Sequence, residues 1–444
     1  MPGQPRAEIQ EIYQSKRVTA EQAVAKIGAG EDIAMGMALG EPPGLLAALA
    51  SRLRSSPLSG LKLWYFHSML GAAQTVLSYD LMDQIAPHCM FLGPTERALQ
   101  DIALKEGRRV INFVPVAFSD APRLLSQDVN IGTFLTTVSP MDRHGYFSFA
   151  ANNDYASAAA RRAQRTIVEV NESLPRVFGD SMLHISEVDA VVEHHAELFE
   201  MPVRPVTDEE TEISRSIAAM IYDGACLQMG IGALPNAVCD FLSDRSDLGI
   251  HTELLGPGLA RLVRGGAVTN RRKQTFPGRS VFTFALGDRD LYDLIDNNPA
   301  FNSYPVNLVN DPRHIAKNDN VVSVNSTLEI DLFGACNSEN VNGRQYSGSG
   351  GQLDFVRGAR ASVGGKSIIA CPSTAKDGAI SRIVPMLSGS VTTPRNDVDT
   401  FVTEYGVARL IGLSGVERAK AMISLAHPDH RADLQQAARR IGLM

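Results

Sequence analysis

The 444-residue chain has few cysteines, and they are badly placed for cross-linking. Cys89, Cys226, Cys239, Cys336 and Cys371 are scattered, odd in number and form no C-x-x-C pair, which argues against a disulfide framework and fits a reducing compartment. No apolar run approaches the ~20 residues that a membrane helix needs. The opening Met1-Pro2-Gly3-Gln4-Pro5-Arg6 has no apolar signal region. A cytoplasmic location is expected. Long Lys/Arg runs are missing too. With a formal net charge of −7 and a sequence pI near 5.8, nucleic acid and anionic membranes are poor partners. The ten histidines show no metal-ligand spacing; His194-His195 and His427/His430 read as surface or capping residues. G-x-S-x-G, G-x-x-x-x-G-K-[ST] and H-E-x-x-H are all absent. Neither a metal nor a tightly bound cofactor is expected.

What is present is an ordinary globular composition, 44% hydrophobic and 20% charged, long enough for two or three domains. Short apolar runs at 33–37, 61–66, 110–114, 166–170, 227–229, 281–285 and 367–371 alternate with helix-period segments at 44–53, 96–105, 235–242 and 258–263. That alternation predicts an α/β fold with a largely parallel sheet. A boundary is expected within 195–210, giving domains 1–200 and 201–444. There two prolines precede Thr207 and Glu210, which are spaced as a capping box.

The two halves share a pattern. Met35-Gly36-Met37-Ala38-Leu39-Gly40-Glu41-Pro42 and Met229-Gly230-Ile231-Gly232-Ala233-Leu234-Pro235 both read as strand, glycine turn and helix start. The next strand ends in Phe66-His67-Ser68-Met69 in one half and Ile250-His251-Thr252-Glu253 in the other. On this alignment Met69 stands where Glu253 stands. The second copy would then carry chemistry and the first an apolar wall.

Three segments invite a chemical reading, and each has a plainer one. The Gly230/Gly232 turn opens a helix and suits an anion, or is only a tight turn. Glu253 follows Gly232 by 21 residues, as the acid of a dinucleotide fingerprint would, but Pro235 replaces the third glycine. An NAD-dependent oxidoreductase is therefore one alternative. Glu253 itself ends a strand, where α/β proteins place ligand chemistry; from spacing alone a helix-dipole acid is the simpler reading. Gly348-Ser349-Gly350-Gly351-Gln352 offers exposed N–H donors for a phosphate or an oxyanion, or is a surface turn. Lys366 and Lys376 could each meet a phosphate or be solvated surface charge.

Taken together and in order, these segments resemble the acetyl-CoA hydrolase/transferase family, which includes 4-hydroxybutyrate and butyrate CoA-transferases. Matching stretches span nearly the whole chain, among them 138–147, 291–299, 310–319, 324–331, 372–376 and 402–407. The resemblance implies two similar α/β domains (the NagB/RpiA-like CoA-transferase fold) with the active site between them. It implies Glu253 as nucleophile, with acyl-CoA and small carboxylic acids as substrates. It also implies an oxyanion and CoA-binding set of Ile231, Gly348, Gly350, Gly351, Gln352 and Lys376. Met37, Phe66, His67 and Met69 would line the acid pocket. The first-half segments look most like the itaconate CoA-transferase branch, which implies succinyl-CoA as donor and itaconate as acceptor. 4-Hydroxybutyrate or butyrate/acetate transfer and acyl-CoA hydrolysis are the neighbouring alternatives. A homodimer is the base-rate expectation.

Overall fold

The apolar runs of the first half become one seven-stranded sheet in the computed structural model, which describes residues 7–202 and 204–444. The opening six residues and Val203, inside the expected boundary, lie outside the described residues. The strands are β1 (Asp32–Met35), β2 (Leu61–Tyr65), β3 (Ile85–Cys89), β4 (Asn112–Phe113), β5 (Thr133–Val138), β6 (Arg165–Val170) and β7 (Ala190–Glu193). Their spatial order is β7-β6-β5-β1-β2-β3-β4, and all neighbours run parallel. Central β5, Thr-Phe-Leu-Thr-Thr-Val, is buried at every position, as a parallel strand covered on both faces must be.

Helix α1 (Pro43–Ser55) shows how the sequence builds the covering layer. Proline sits in its first turn, where its missing N–H costs nothing, and Arg52 and Arg54 lie in the last turn, where the dipole favours cations. Leu45, Leu46, Leu49 and Leu53 recur at helical spacing and are fully buried against Ile33, Met35, Leu63 and Tyr65. Each buried leucine contributes about 2 kcal/mol. Helix α2 (Pro94–Lys105) follows β3 in the same way.

The second sheet holds β8 (Cys226–Met229), β9 (Gly249–Ile250), β10 (Val321–Ser326), β11 (Lys366–Ala370), β12 (Thr400–Thr403) and β13 (Gly406–Arg409), in the order β9-β8-β10-β11-β12-β13. Its neighbours are parallel except for the final β12–β13 pair. Helix α3 (Asp208–Ala218) opens with the expected capping box: Thr207 Oγ1 accepts from Glu210 N at 3.2 Å, and the Glu210 carboxylate accepts from Thr207 N at 3.1 Å. Helices α4 (Ala233–Asp240) and α5 (Gln352–Ala361) follow the two glycine segments. Two compact units result. One runs to Met201 and takes in Phe282–Leu308; the other comprises Pro202–Val281 and Val309–Met444.

The duplication is visible in the topology. The order β2-β1-β5-β6-β7 in the first sheet equals β9-β8-β10-β11-β12 in the second, strand for strand in chain order. The hydrogen-bond register corrects the alignment of strand ends. Ala34 pairs with Trp64, and Leu227 with Ile250. Extending both registers sets Met35 beside Tyr65 and Met229 beside Thr252. Phe66, not Met69, therefore occupies the position equivalent to Glu253. Matching His67-Ser68 to His251-Thr252 slips the comparison by three residues, because two short polar strings do not mark where a strand ends.

Candidate active site

Glu253 emerges where β9 ends. His251 N donates to Leu227 O of the adjoining β8 at 3.1 Å, and Thr252 N to Val281 O at 3.0 Å. The Thr252 hydroxyl then donates to Leu254 O at 2.9 Å and closes the turn. Below it, the buried Lys273 ammonium donates to the carbonyls of Ile250 at 2.7 Å and Arg279 at 2.6 Å. The carboxylate is thus mounted on a short strand end whose backbone is held from several directions.

Two donors reach the carboxylate. Asn310 Nδ2 donates to Oε2 at 2.6 Å, and the Gly351 N–H donates as well. Glu253 keeps some solvent access, yet protein atoms crowd its carboxyl group. This desolvation pushes the pKa up to about 7. The charge of Asp354, in the first turn of α5, adds to the rise, while the Asn310 amide and Gly351 N–H oppose it. A carboxylate stripped of water but still supplied with two donors is a stronger nucleophile than a solvated one and is poised near neutral pH.

Gly351 owes its identity to space. Its φ of −105° is open to any residue. A Cβ there would collide with both Asn310 Nδ2 and Glu253 Oε2. Gly350 turns the loop at φ +58°, a left-handed conformation suited to glycine. Gly348 begins this loop, and Gln352, the first residue of α5, donates from Nε2 to Thr393 Oγ1 at 3.0 Å. Ile231 stands 57% exposed on the turn between β8 and α4. The next residue, Gly232, has φ +122°, which again demands glycine. Lys376 is elsewhere in the same unit. It tips a hairpin at φ +52° and lines a cavity of about 430 Å³ with Thr207, Glu210, Tyr405 and His427. Lys366 is engaged structurally, donating to Met220 O at 2.8 Å and lying 4.4 Å over the Tyr222 ring.

In the other unit, Met37, Phe66, His67 and Met69 gather at the carboxyl ends of β1 and β2. Met37 and Phe66 are buried, His67 and Met69 half-buried. Phe66 stacks on Phe118 with ring centroids 3.9 Å apart. The Tyr155 hydroxyl ties the two strand ends, donating to Met35 O at 2.7 Å and accepting from Phe66 N at 3.4 Å. Met69 N donates to Glu41 at 2.7 Å. Burial holds the His67 pKa below its usual value, Glu96 opposes this, and the cation Arg97 reinforces it.

Sequence reasoning missed Asn310, Lys273 and Glu41. Asn310 lies 57 residues from its partner, and only its place in a matching stretch marked it. Lys273 sits in the polar stretch 271–279, which reads in sequence as a loop. Glu41 stands between a glycine and two prolines, with nothing to signal a buried carboxylate. Among the described residues, no three His, Cys, Asp or Glu side chains gather where they could hold a metal ion, and no helix is long and apolar enough to cross a membrane.

Comparison with known proteins decides the family. The sequence profile of the acetyl-CoA hydrolase/transferase N-terminal domain matches residues 1–203, and that of the C-terminal domain matches residues 287–438. The chain belongs to the acetyl-CoA hydrolase/transferase family. Within it, the succinyl-CoA:cyclohexane-1-carboxylate CoA transferase of Geobacter metallireducens is 43% identical over 97% of this chain and 96% of its own length. The 4-hydroxybutyrate coenzyme A transferase of Clostridium kluyveri is 41% identical over 98% of this chain and 99% of its own. The crystal structure of RipA from Yersinia pestis superposes with a TM-score of 0.96 at 55% identity, covering 98% of this chain and all of that one (100%). The chain is a CoA-transferase, with coenzyme A thioesters as its substrates.

Proposed function

We propose that this family member exchanges coenzyme A between carboxylic acids through a covalent glutamyl-CoA thioester on Glu253, with succinyl-CoA as donor and itaconate as acceptor. The observation that carries the reading is the desolvated Glu253 carboxylate held by the Asn310 amide and the Gly351 N–H. One oxygen of Glu253 attacks the thioester carbonyl. The C–S bond breaks, CoA leaves as thiolate, and a mixed anhydride remains. The thiolate attacks the glutamyl carbonyl and the first acid departs as carboxylate, leaving glutamyl-CoA. A second carboxylate enters and the same steps run backwards, which is ping-pong exchange. Each attack builds an oxyanion. Gly350 or Gly351, with Ile231, supplies the donors, and each such donor is worth on the order of 3 kcal/mol. Water must be excluded, since it would hydrolyse the anhydride.

The donor assignment draws on a relative whose name pairs succinyl-CoA with a carboxylate acceptor. The acceptor assignment draws on the first-half segments. There Met37, Phe66 and Met69 offer an adaptable apolar wall. His67, with Arg97 as its cationic neighbour, offers a partner for a second carboxylate. The five buried free thiols fit a cytoplasmic enzyme.

The test is acyl exchange from succinyl-CoA with itaconate, butyrate, 4-hydroxybutyrate and acetate in parallel, beside a blank without acceptor. Itaconyl-CoA is expected to form fastest and the blank to stay quiet. Faster transfer to a monocarboxylate would overturn the acceptor. Consumption in the blank would make the enzyme a hydrolase.

A further inference from the structure

We propose that His251 is a positioning residue that ties the Val309–Asn310 segment to the strand end bearing Glu253, so that the Asn310 amide is delivered to the carboxylate. The inference rests on the reading of Glu253 as nucleophile and adds a part to it. His251 Nε2 lies 2.8 Å from the Val309 carbonyl, and the next residue, Asn310, donates to Glu253 at 2.6 Å. Two hydrogen bonds thus link residues 251–253 to residues 309–310 as adjacent rungs. Removing the first leaves the second as the remaining one of these two ties, beside the packing of the fully buried Val309.

The chemistry of the first rung is fixed by its acceptor. A carbonyl oxygen can only accept, so Nε2 must carry the hydrogen and Nδ1 the lone pair. The ring is wholly buried, with the His314 ring 5.9 Å away and the Phe355 ring 6.4 Å away. Burial first, then the charges of Lys273 and His314, hold its pKa down to about 3. The imidazole therefore stays neutral through the working range, and its donor does not switch with pH. Asn310 is also fully buried, so its amide cannot exchange Glu253 for solvent without moving the backbone that His251 pins. Hydrogen bonding from Asn310 favours the ionised glutamate. Losing it should raise the carboxyl pKa further, since the Asp354 charge remains.

The test compares His251→Gln, whose longer amide can still reach Val309 O, with His251→Asn, which falls short, and His251→Leu, which fills space without a donor. Each is made in the wild-type and Asn310→Ala backgrounds. Misplacement by about 1 Å costs roughly 100-fold, so His251→Leu and His251→Asn should lose on the order of 30- to 100-fold in kcat. KM for acyl-CoA should move less than about 3-fold, since the loss falls on the transition state. The acid limb of kcat/KM should shift to higher pH. His251→Gln should restore most of both. In the Asn310→Ala background, His251→Leu should cost less than about 3-fold, because the two act as one unit. Independent, multiplicative losses would overturn the proposal, as would an unmoved acid limb or a Gln variant no better than Asn. Glu253→Gln separates the two readings. If it retains transfer, the nucleophile assignment falls. If it is inert while His251→Leu is fully active, only the positioning role falls.

Discussion

At the scale of single residues, the proposed chemistry turns on one carboxyl group whose environment opposes its charge. Desolvation pushes the Glu253 pKa up to about 7, and as the proposed nucleophile it must be ionised. Transfer should therefore fall about tenfold per pH unit below 7, measured as kcat/KM between pH 5 and 8; an acid limb near the ordinary glutamate value would contradict this reading. Glu253→Ala should abolish transfer while the protein folds and binds CoA, and transfer at a near-normal rate in that variant would sink the mechanism. Linkage has a definite sign here. A carboxyl whose folded pKa is raised binds its proton more tightly in the native state, so its contribution to stability is present below about 4.5 and lost as pH rises through 7. Glu253→Gln cannot ionise. It should melt above the wild type at pH 8 and together with it near pH 4, as read by thermal unfolding at both pH values.

At the scale of elements, the site is made by a strand end and a loop that runs straight into a helix. Gly351 caps the start of α5, so its N–H is among those a helix leaves without an intrahelical partner. Gly351→Ala should cut kcat by about 100-fold or more and CoA affinity far less, because the added methyl collides with Asn310 and Glu253 instead of with bound nucleotide. Steady-state kinetics beside a CoA titration separates the two, and an unchanged turnover number would remove the loop from the chemistry. The glycine loops, the capping box at Thr207 and the strand-to-helix rhythm were legible because each is a local pattern. The strand expected over 110–114 shrinks to Asn112–Phe113 at the sheet edge, where one side has no partner to extend it. The run at 281–285 is broken into Ser280–Phe282 and Phe284–Ala285.

Across the whole molecule, one α/β plan is used twice, and the copies are chemically unequal. Where the second copy has Glu253 after its strand end, the first has Phe66, stacked among aromatic rings. The first unit nevertheless buries carboxyls of its own. Glu41 accepts from Met69 N and Ala72 N, Glu169 from Gly44 N and Leu45 N, and Asp154 from Tyr155 N. Burial raises all three, Glu41 and Glu169 to about 7 and Asp154 to about 8. With Glu253 they should lower stability as pH climbs from about 4, where the unfolded carboxyls ionise, to about 8. The depressed histidines His67, His251 and His314 work oppositely, losing stability as pH falls through their unfolded value of about 6.5. The four carboxyls outnumber the three histidines, so the melting temperature should fall as pH rises from about 5 to 8 in scanning calorimetry. A peak above pH 8 would show that these carboxyls are not protonated in the native state.

The sequence by itself determined the α/β class, the duplication, the family and the two segments that meet at the site, His251-Thr252-Glu253 and Gly348–Gly351. Periodicity, turn chemistry and motif order are properties of neighbouring residues, and a chain displays them before it folds. Only the tertiary structure decided which atoms touch Glu253, how far its carboxyl group is desolvated, and which residue of the first copy is its true counterpart. Asn310 and Val309 reach the site from 57 and 58 residues away, and the register between parallel strands is set by hydrogen bonds across a crossover. Both are non-local, and no pattern along the chain records them.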